Sequence, residues 1–130
     1  MRRDIIIANK TLTMASNAFT PILYRQIFKK DFLREITGFQ SLKGKTAKDY
    51  TEDDIENFTN RAEAFSRIAF IMTKQAELEK ASELTKLTTD DYFEWLIEFE
   101  NGAFQDATTL SAILGLWQGN AEDSHVDAKN

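Results

Sequence analysis

From Thr51 to Ala81 the chain runs without Gly or Pro, and its apolar residues recur at helical spacing. Ile55, Phe58, Ala62, Phe65, Ala69, Met72 and Ala76 are three or four residues apart, so they stack on one face of a helix. Thr51 stands before them as an N-cap, with Glu52, Asp53 and Asp54 placing charge in the first turn. Ile68, Ala69, Phe70, Ile71 and Met72 then run consecutively, which makes that part of the helix apolar all round. Such a helix is covered on several sides. The pattern predicts a helix over 52–80, with Phe58, Phe65, Ala69 and Met72 in the core.

The flanking segments follow the same logic. Asp4–Ile7 and Thr11–Met14 are short β-prone runs around Ala8-Asn9-Lys10, where Asn9 tolerates the left-handed backbone of a tight turn. A hairpin over 4–14 is expected. Thr20-Pro21 opens helical structure over 20–37, Thr as cap and Pro at the first position. Lys29-Lys30-Asp31 interrupts the rhythm, so two short helices with a bend are predicted, the second capped by Asp31 and ending near Gly38. Residues 38–49 are polar and basic and read as a loop. Glu77–Leu87 has weak periodicity and is expected to turn near Ser82 to Thr85. Thr88 and Asp91 form a second Thr-x-x-Asp cap, opening an aromatic helix over 89–100 that Asn101-Gly102 ends. Phe104, Ala107, Leu110, Leu114 and Trp117 mark a last helix over 103–118, closed by Gly119. The predicted fold is mainly α: one small helical domain over 1–119 around a long central helix, with a short N-terminal β-hairpin. Residues 120–130 are small and polar, with Val126 the one apolar residue larger than Ala, and are expected to be a disordered tail.

Composition sharpens this picture. One Pro and five Gly in 130 residues supply few turns for an all-β fold, while ten Phe, three Tyr and two Trp supply bulky core area. The absence of Cys removes disulfides, thiolate metal sites and thiol nucleophiles. No apolar run approaches the roughly 20 residues of a membrane helix, and Ile5-Ile6-Ile7 is too short for a signal-peptide core. A soluble, unexported protein is expected. The net charge of −5 hides an asymmetry: residues 1–48 carry ten Lys/Arg against three acids, net +7, and residues 49–130 carry six against eighteen, net −12. These opposite surfaces either attract within one folded unit or meet between subunits or on a charged partner. With an exposed hairpin edge, the second reading predicts head-to-tail self-association, closing as a ring or continuing as a spiral.

Candidate chemistry is sparse. Gly44-Lys45-Thr46 with Gly38 upstream has five residues between the glycines where a phosphate-binding loop has four, and no buried strand precedes it. The carboxylates of Glu52-Asp53-Asp54 and Asp90-Asp91 sit where helix N-termini want them. His125, the one histidine, falls in the polar tail, which offers no fixed environment for catalysis or metal binding. No enzyme, cofactor or metal is expected. Arg25, Lys29, Lys30, Arg34, Lys43, Lys45 and Lys48 would favour phosphate contacts, but the acidic remainder argues against nucleic acid. From residues alone, the chain is a helical interaction module, with a small regulatory or nucleic-acid-binding protein as the competing class.

The order of segments carries a resemblance. A short hairpin precedes Thr20-Pro21-Ile22-Leu23-Tyr24-Arg25-Gln26-Ile27-Phe28 and Lys30-Asp31-Phe32-Leu33. Next come Phe65-Ser66-Arg67-Ile68-Ala69-Phe70-Ile71-Met72-Thr73-Lys74-Gln75-Ala76, Phe93-Glu94-Trp95-Leu96, and a closing helix ending Leu116-Trp117. This arrangement resembles the tail assembly chaperones of long-tailed, non-contractile bacteriophages that infect Gram-positive bacteria. It spans nearly the whole chain to Gly119. It departs at Lys29, where the resemblance leads one to expect Gly in the bend. The likeness implies a protein of the host cytoplasm that binds and solubilises the tape measure protein, helps recruit tail tube (major tail) subunits and is absent from the mature virion. It also implies a longer form made by ribosomal frameshifting, for which 120–130 is a suitable point of divergence. Tyr24, Arg25, Phe28, Trp95 and Trp117 are the candidate partner-binding residues.

Overall fold

The computed structural model describes residues 1–40 and 52–118, with the side chains of all of these but 38–40, 52–61 and 107. Expectations for the Thr51 cap, the Gly44-Lys45-Thr46 loop, the Phe58 side chain, Gly119, His125 and the 120–130 tail lie outside the described residues. The fold is mainly helical with an N-terminal antiparallel hairpin. Strands β1 (Arg2–Ile7) and β2 (Lys10–Ala15) are followed by helices α1 (Thr20–Phe28), α2 (Phe32–Gln40), α3 (Glu52–Glu77), α4 (Ala81–Leu84), α5 (Thr89–Leu96) and α6 (Ala107–Trp117).

The hairpin is built by alternation. Ile5 and Ile7 of β1 and Met14 of β2 are buried, whereas Asp4 and Ile6 face outward. Ile7 pairs with Lys10 across a two-residue turn, Ala8-Asn9, whose φ values are both positive (49° and 69°). That sign pair matches the twist of the strands. Thr13 donates to the Asp4 carboxylate at 2.7 Å from the directly opposite position. The hairpin lies on α3 and α6, and the Thr109 hydroxyl of α6 reaches the Ile6 carbonyl at 3.4 Å.

α1 and α2 meet at a corner, as the broken rhythm predicts. Lys29 takes the left-handed conformation (φ 59°, ψ 33°) and its N–H closes α1 on the Arg25 carbonyl. The Asp31 carboxylate then accepts from the Leu33 N–H at 3.0 Å. Several boundaries differ from expectation. Thr20 is not the cap of α1: its hydroxyl donates to Gln75 of α3 at 2.6 Å inside the core, and Phe19 occupies the cap position without a side-chain bond. Gly38 lies within α2, which continues to Gln40, because one Gly costs a helix only about 1 kcal/mol. α6 begins at Ala107, since the Asp106 carboxylate accepts from the Thr108 N–H at 2.9 Å. Phe104 is therefore a buried residue of the preceding turn, and Gly102 supplies the positive φ of 79° there.

α3 ends at Glu77, three residues before the expected limit, and α4 is a single turn. Every side chain from Ala64 to Met72 is buried, Phe65, Ala69 and Met72 among them. The consecutive apolar run is matched by neighbours on several sides: α3 packs on β2, α1, α2 and α5. α5 opens with the full capping box, Thr88 accepting from the Asp91 N–H and Asp91 accepting from the Thr88 N–H. It ends at Leu96 and gives way to turns, so the expected span to 100 was too long. Aromatic edges knit the elements together. Phe70 touches Tyr92 and Trp95 at 5.5 Å each, and Phe65 touches Phe104 at 5.5 Å.

Candidate functional site

A buried polar cluster fixes the geometry of the helical faces. Tyr24 of α1, Glu35 of α2 and Arg67 of α3 converge, although 11 to 43 residues separate them. The Tyr24 hydroxyl donates to the Glu35 carboxylate at 2.9 Å. Arg67 donates to the Tyr24 oxygen at 3.0 Å through Nε and to Glu35 at 3.1 Å through its terminal nitrogen. Side chains of the ion pair are 10% and 11% exposed, so the groups are held by one another rather than by water. Burial raises the Tyr24 phenol above its usual 10.0, against the opposing pull of Arg67. Burial also works against the Arg67 charge, but its bonds to Tyr24 and Glu35 prevail and hold the guanidinium protonated. The cluster joins three helices at one point. One carboxylate oxygen, Oε1 of Glu35, accepts from both Tyr24 and Arg67, which suits a structural clamp.

Among the described residues, two concave surfaces are open to a partner. A groove of about 430 Å³ lies between α3, α5 and the turn over 99–105, with Tyr92, Leu96, Phe99 and Phe104 among its lining residues. Its lining includes Phe93, 56% exposed, and one turn further on, at the C-cap of α5, stands Ile97, 80% exposed and outside the lining. α5 is thus apolar on two faces, one turned to the core through Tyr92 and Trp95 and the other turned to water. Tyr92 is anchored by a 2.6 Å hydrogen bond to Ser66 of α3. Burial raises its phenol as well, with Ser66 pulling the other way. The second surface is a crevice of about 180 Å³ between α1 and α2, where Ile22 (52% exposed) and Leu33 (55% exposed) flank Arg25.

The five candidate partner-binding residues do not share a surface. Tyr24 is wholly buried, its ring against Phe28 and Phe32 and its hydroxyl in the polar cluster, and so offers nothing to a partner in this conformation. Trp95 is also buried, between Phe70, Phe99 and Phe104. Phe28 is half-buried against Tyr92 at 5.0 Å, and Trp117 is half-buried against Phe32 at 4.7 Å. Arg25 alone is exposed, in the α1–α2 crevice. Sequence reading overlooked Phe93 and Ile97. Their signal was present: a pair one helical turn apart, off the Tyr92–Trp95–Phe99 face, each followed by Glu.

Among the described residues no group of three or more His, Asp or Glu is placed to hold a metal ion, and no helix is long and apolar enough to cross a membrane. Comparison with protein families, curated proteins and solved structures found no match to this chain.

Proposed function

We propose that the protein is a tail assembly chaperone of a long-tailed, non-contractile bacteriophage of a Gram-positive host. In this reading it acts in the host cytoplasm, covers apolar stripes of the tape measure protein until tail tube subunits displace it, and is left out of the virion. It is a binding protein with neither catalytic nor cofactor chemistry, and nucleic acid is not among its partners. The reading rests on the sequence resemblance, and one observation supports it most directly. The resemblance calls for Gly at the bend after Phe28, and Lys29 holds the left-handed backbone that Gly would adopt there. The residue departs from the expected pattern while the bend it would form is kept.

The exposed apolar pairs Phe93/Ile97 and Ile22/Leu33 supply surfaces for helix-in-groove contacts with an extended helical partner. Within the same proposal α3 is the single axis of the fold, around which the hairpin and remaining helices are laid. Unlike charges on the first third and the remainder favour head-to-tail assembly as a ring or spiral along that partner. The test is co-expression with the tape measure protein of the same genome. Soluble, co-purifying tape measure protein is the expected result. A tape measure protein that stays insoluble and never co-purifies would remove the proposal.

A further inference from the structure

The groove between α3, α5 and the 99–105 turn is defined by charge as well as by shape. From residue 87 to the end of α6, Asp90, Asp91, Glu94, Glu98, Glu100 and Asp106 are joined by no Lys or Arg at all. All of these except Asp91 are exposed. Glu94 and Glu98 follow Phe93 and Ile97, so an apolar stripe on α5 is edged by carboxylates. Glu63 of α3, its side chain 73% exposed and 3.4 Å from Arg67, adds a further carboxylate from the opposite wall. The aromatic lining already accepts one cation from within the chain: Lys10 at the start of β2 stands 5.0 Å from the Phe99 ring centre.

We propose that this groove docks an amphipathic helix of a partner protein, one whose apolar stripe is flanked by Lys or Arg. Phe93 and Ile97 would meet the stripe, and Glu63, Glu94, Glu98 and Glu100 would meet the flanking cations. The carboxylate rim selects the occupant by sign: acidic segments, nucleic-acid phosphates and anionic lipid surfaces are all repelled. Apolar contact supplies the affinity, while the rim orients the helix and accelerates its capture. The inference deepens the chaperone reading and rests on it only for the identity of the partner, since the chemistry of the groove stands by itself.

The probe is a fluorescein-labelled model helix made of leucine and lysine alone, with a leucine–glutamate helix as its counterpart, followed by anisotropy at low and high salt. The lysine helix should bind the intact chain and the glutamate helix should not. Phe93→Ser combined with Ile97→Ser should weaken lysine-helix binding by about tenfold or more. Because both side chains are exposed, the melting curve of this variant should overlay that of wild type. Equal binding by wild type and variant, or equal binding of the two helices, overturns the proposal. Loss of binding in Ile22→Ser with Leu33→Ser instead moves the site to the α1–α2 crevice and overturns it too. A wild type that ignores the probe but self-associates, with assembly abolished by Phe93→Ser and Ile97→Ser, identifies the occupant as a second copy and likewise refutes it. Co-expression with the tape measure protein separates the two readings. Equal co-purification with wild type and variant refutes the groove but spares the chaperone. No co-purification with either, while the lysine helix binds wild type alone, refutes the chaperone but spares the groove.

Discussion

Replacing Arg67 by Met tests whether the three-helix polar clamp holds the fold together. Met keeps the aliphatic stem of Arg packed while deleting the guanidinium, so the loss is mainly electrostatic. Two buried bonds disappear, to the Tyr24 oxygen at 3.0 Å and to the Glu35 carboxylate at 3.1 Å. Hydrogen bonds of charged groups contribute about 1.5–3 kcal/mol each, and removing one partner of a buried ion pair typically costs about 3–5 kcal/mol. The further contact from Arg67 to Glu63, 3.4 Å long with Glu63 73% exposed, adds less than about 1 kcal/mol. A destabilisation of about 3–5 kcal/mol is therefore expected, a large share of the roughly 5–15 kcal/mol available to a domain of this kind. Urea unfolding at pH 7, followed by Trp fluorescence and helical circular dichroism, measures it. The companion is a triple variant, Tyr24→Phe with Glu35→Leu and Arg67→Met, which replaces every member by an apolar group. It should recover most of the lost stability, since an apolar substitute for a buried ion pair is close to neutral. An Arg67→Met cost below about 1 kcal/mol, or a triple variant no more stable than the single one, would refute the clamp.

Three other outcomes are expected. Phe65→Asp places a carboxylate at a site 1% exposed, beside the Phe104 ring, and should destabilise by more than about 4 kcal/mol, read as loss of the cooperative thermal transition. Lys29→Gly relieves a left-handed backbone that costs a non-glycine residue about 1 kcal/mol, so the urea midpoint should rise with unchanged slope; a lower midpoint would show that Lys29 contributes more than its backbone conformation costs. Burial raises the phenols of Tyr24 and Tyr92 above 10.0, so folding favours their neutral forms. That contribution is complete below pH 10 and fades as pH climbs from there toward the folded values, so stability should fall in alkali, and tyrosinate absorbance should rise with unfolding rather than before it.

Local chemistry made some elements readable and misled at others. The capping box of Thr88 and Asp91, the Ala8-Asn9 turn and the corner at Lys29 are each written within a few residues, and each is seen in the fold. The start of α6 was placed early because Phe104 keeps the 3.6-residue phase of the helix without belonging to it, while the decisive signal was the Asp106 side chain. Thr20 followed the preference of Thr for caps, but a buried partner 55 residues away, Gln75, claimed its hydroxyl. The polar clamp was illegible for the same reason. Tyr24 stands in an amphipathic helix and Glu35 reads as a surface charge, and only the α1–α2 corner brings both to Arg67. Tyr24 and Trp95, two of the five candidate partner residues, are large aromatics of the kind the core takes first, since they bury so much area.

That competition between core and surface explains why α5 is the element to watch. Eight residues are too few for a helix to stand by itself in water, so α5 persists through its capping box and inner face. Tyr92 supplies the bond to Ser66 and contacts with Phe28 and Phe70, and Trp95 packs against Phe70 and Phe104. With that face committed to the core, Phe93 and Ile97 are left mostly to water, Phe93 keeping a contact with the Tyr92 ring at 5.5 Å. An exposed pair of this size lowers solubility unless something covers it. Because the inner face anchors α5, a ligand can press on the outer face without first ordering it, and the entropic cost of binding falls on the ligand alone. A helix held by its inner face, with an apolar pair beside it and carboxylates along its edge, is the arrangement on which the proposed capture of a basic amphipathic helix rests.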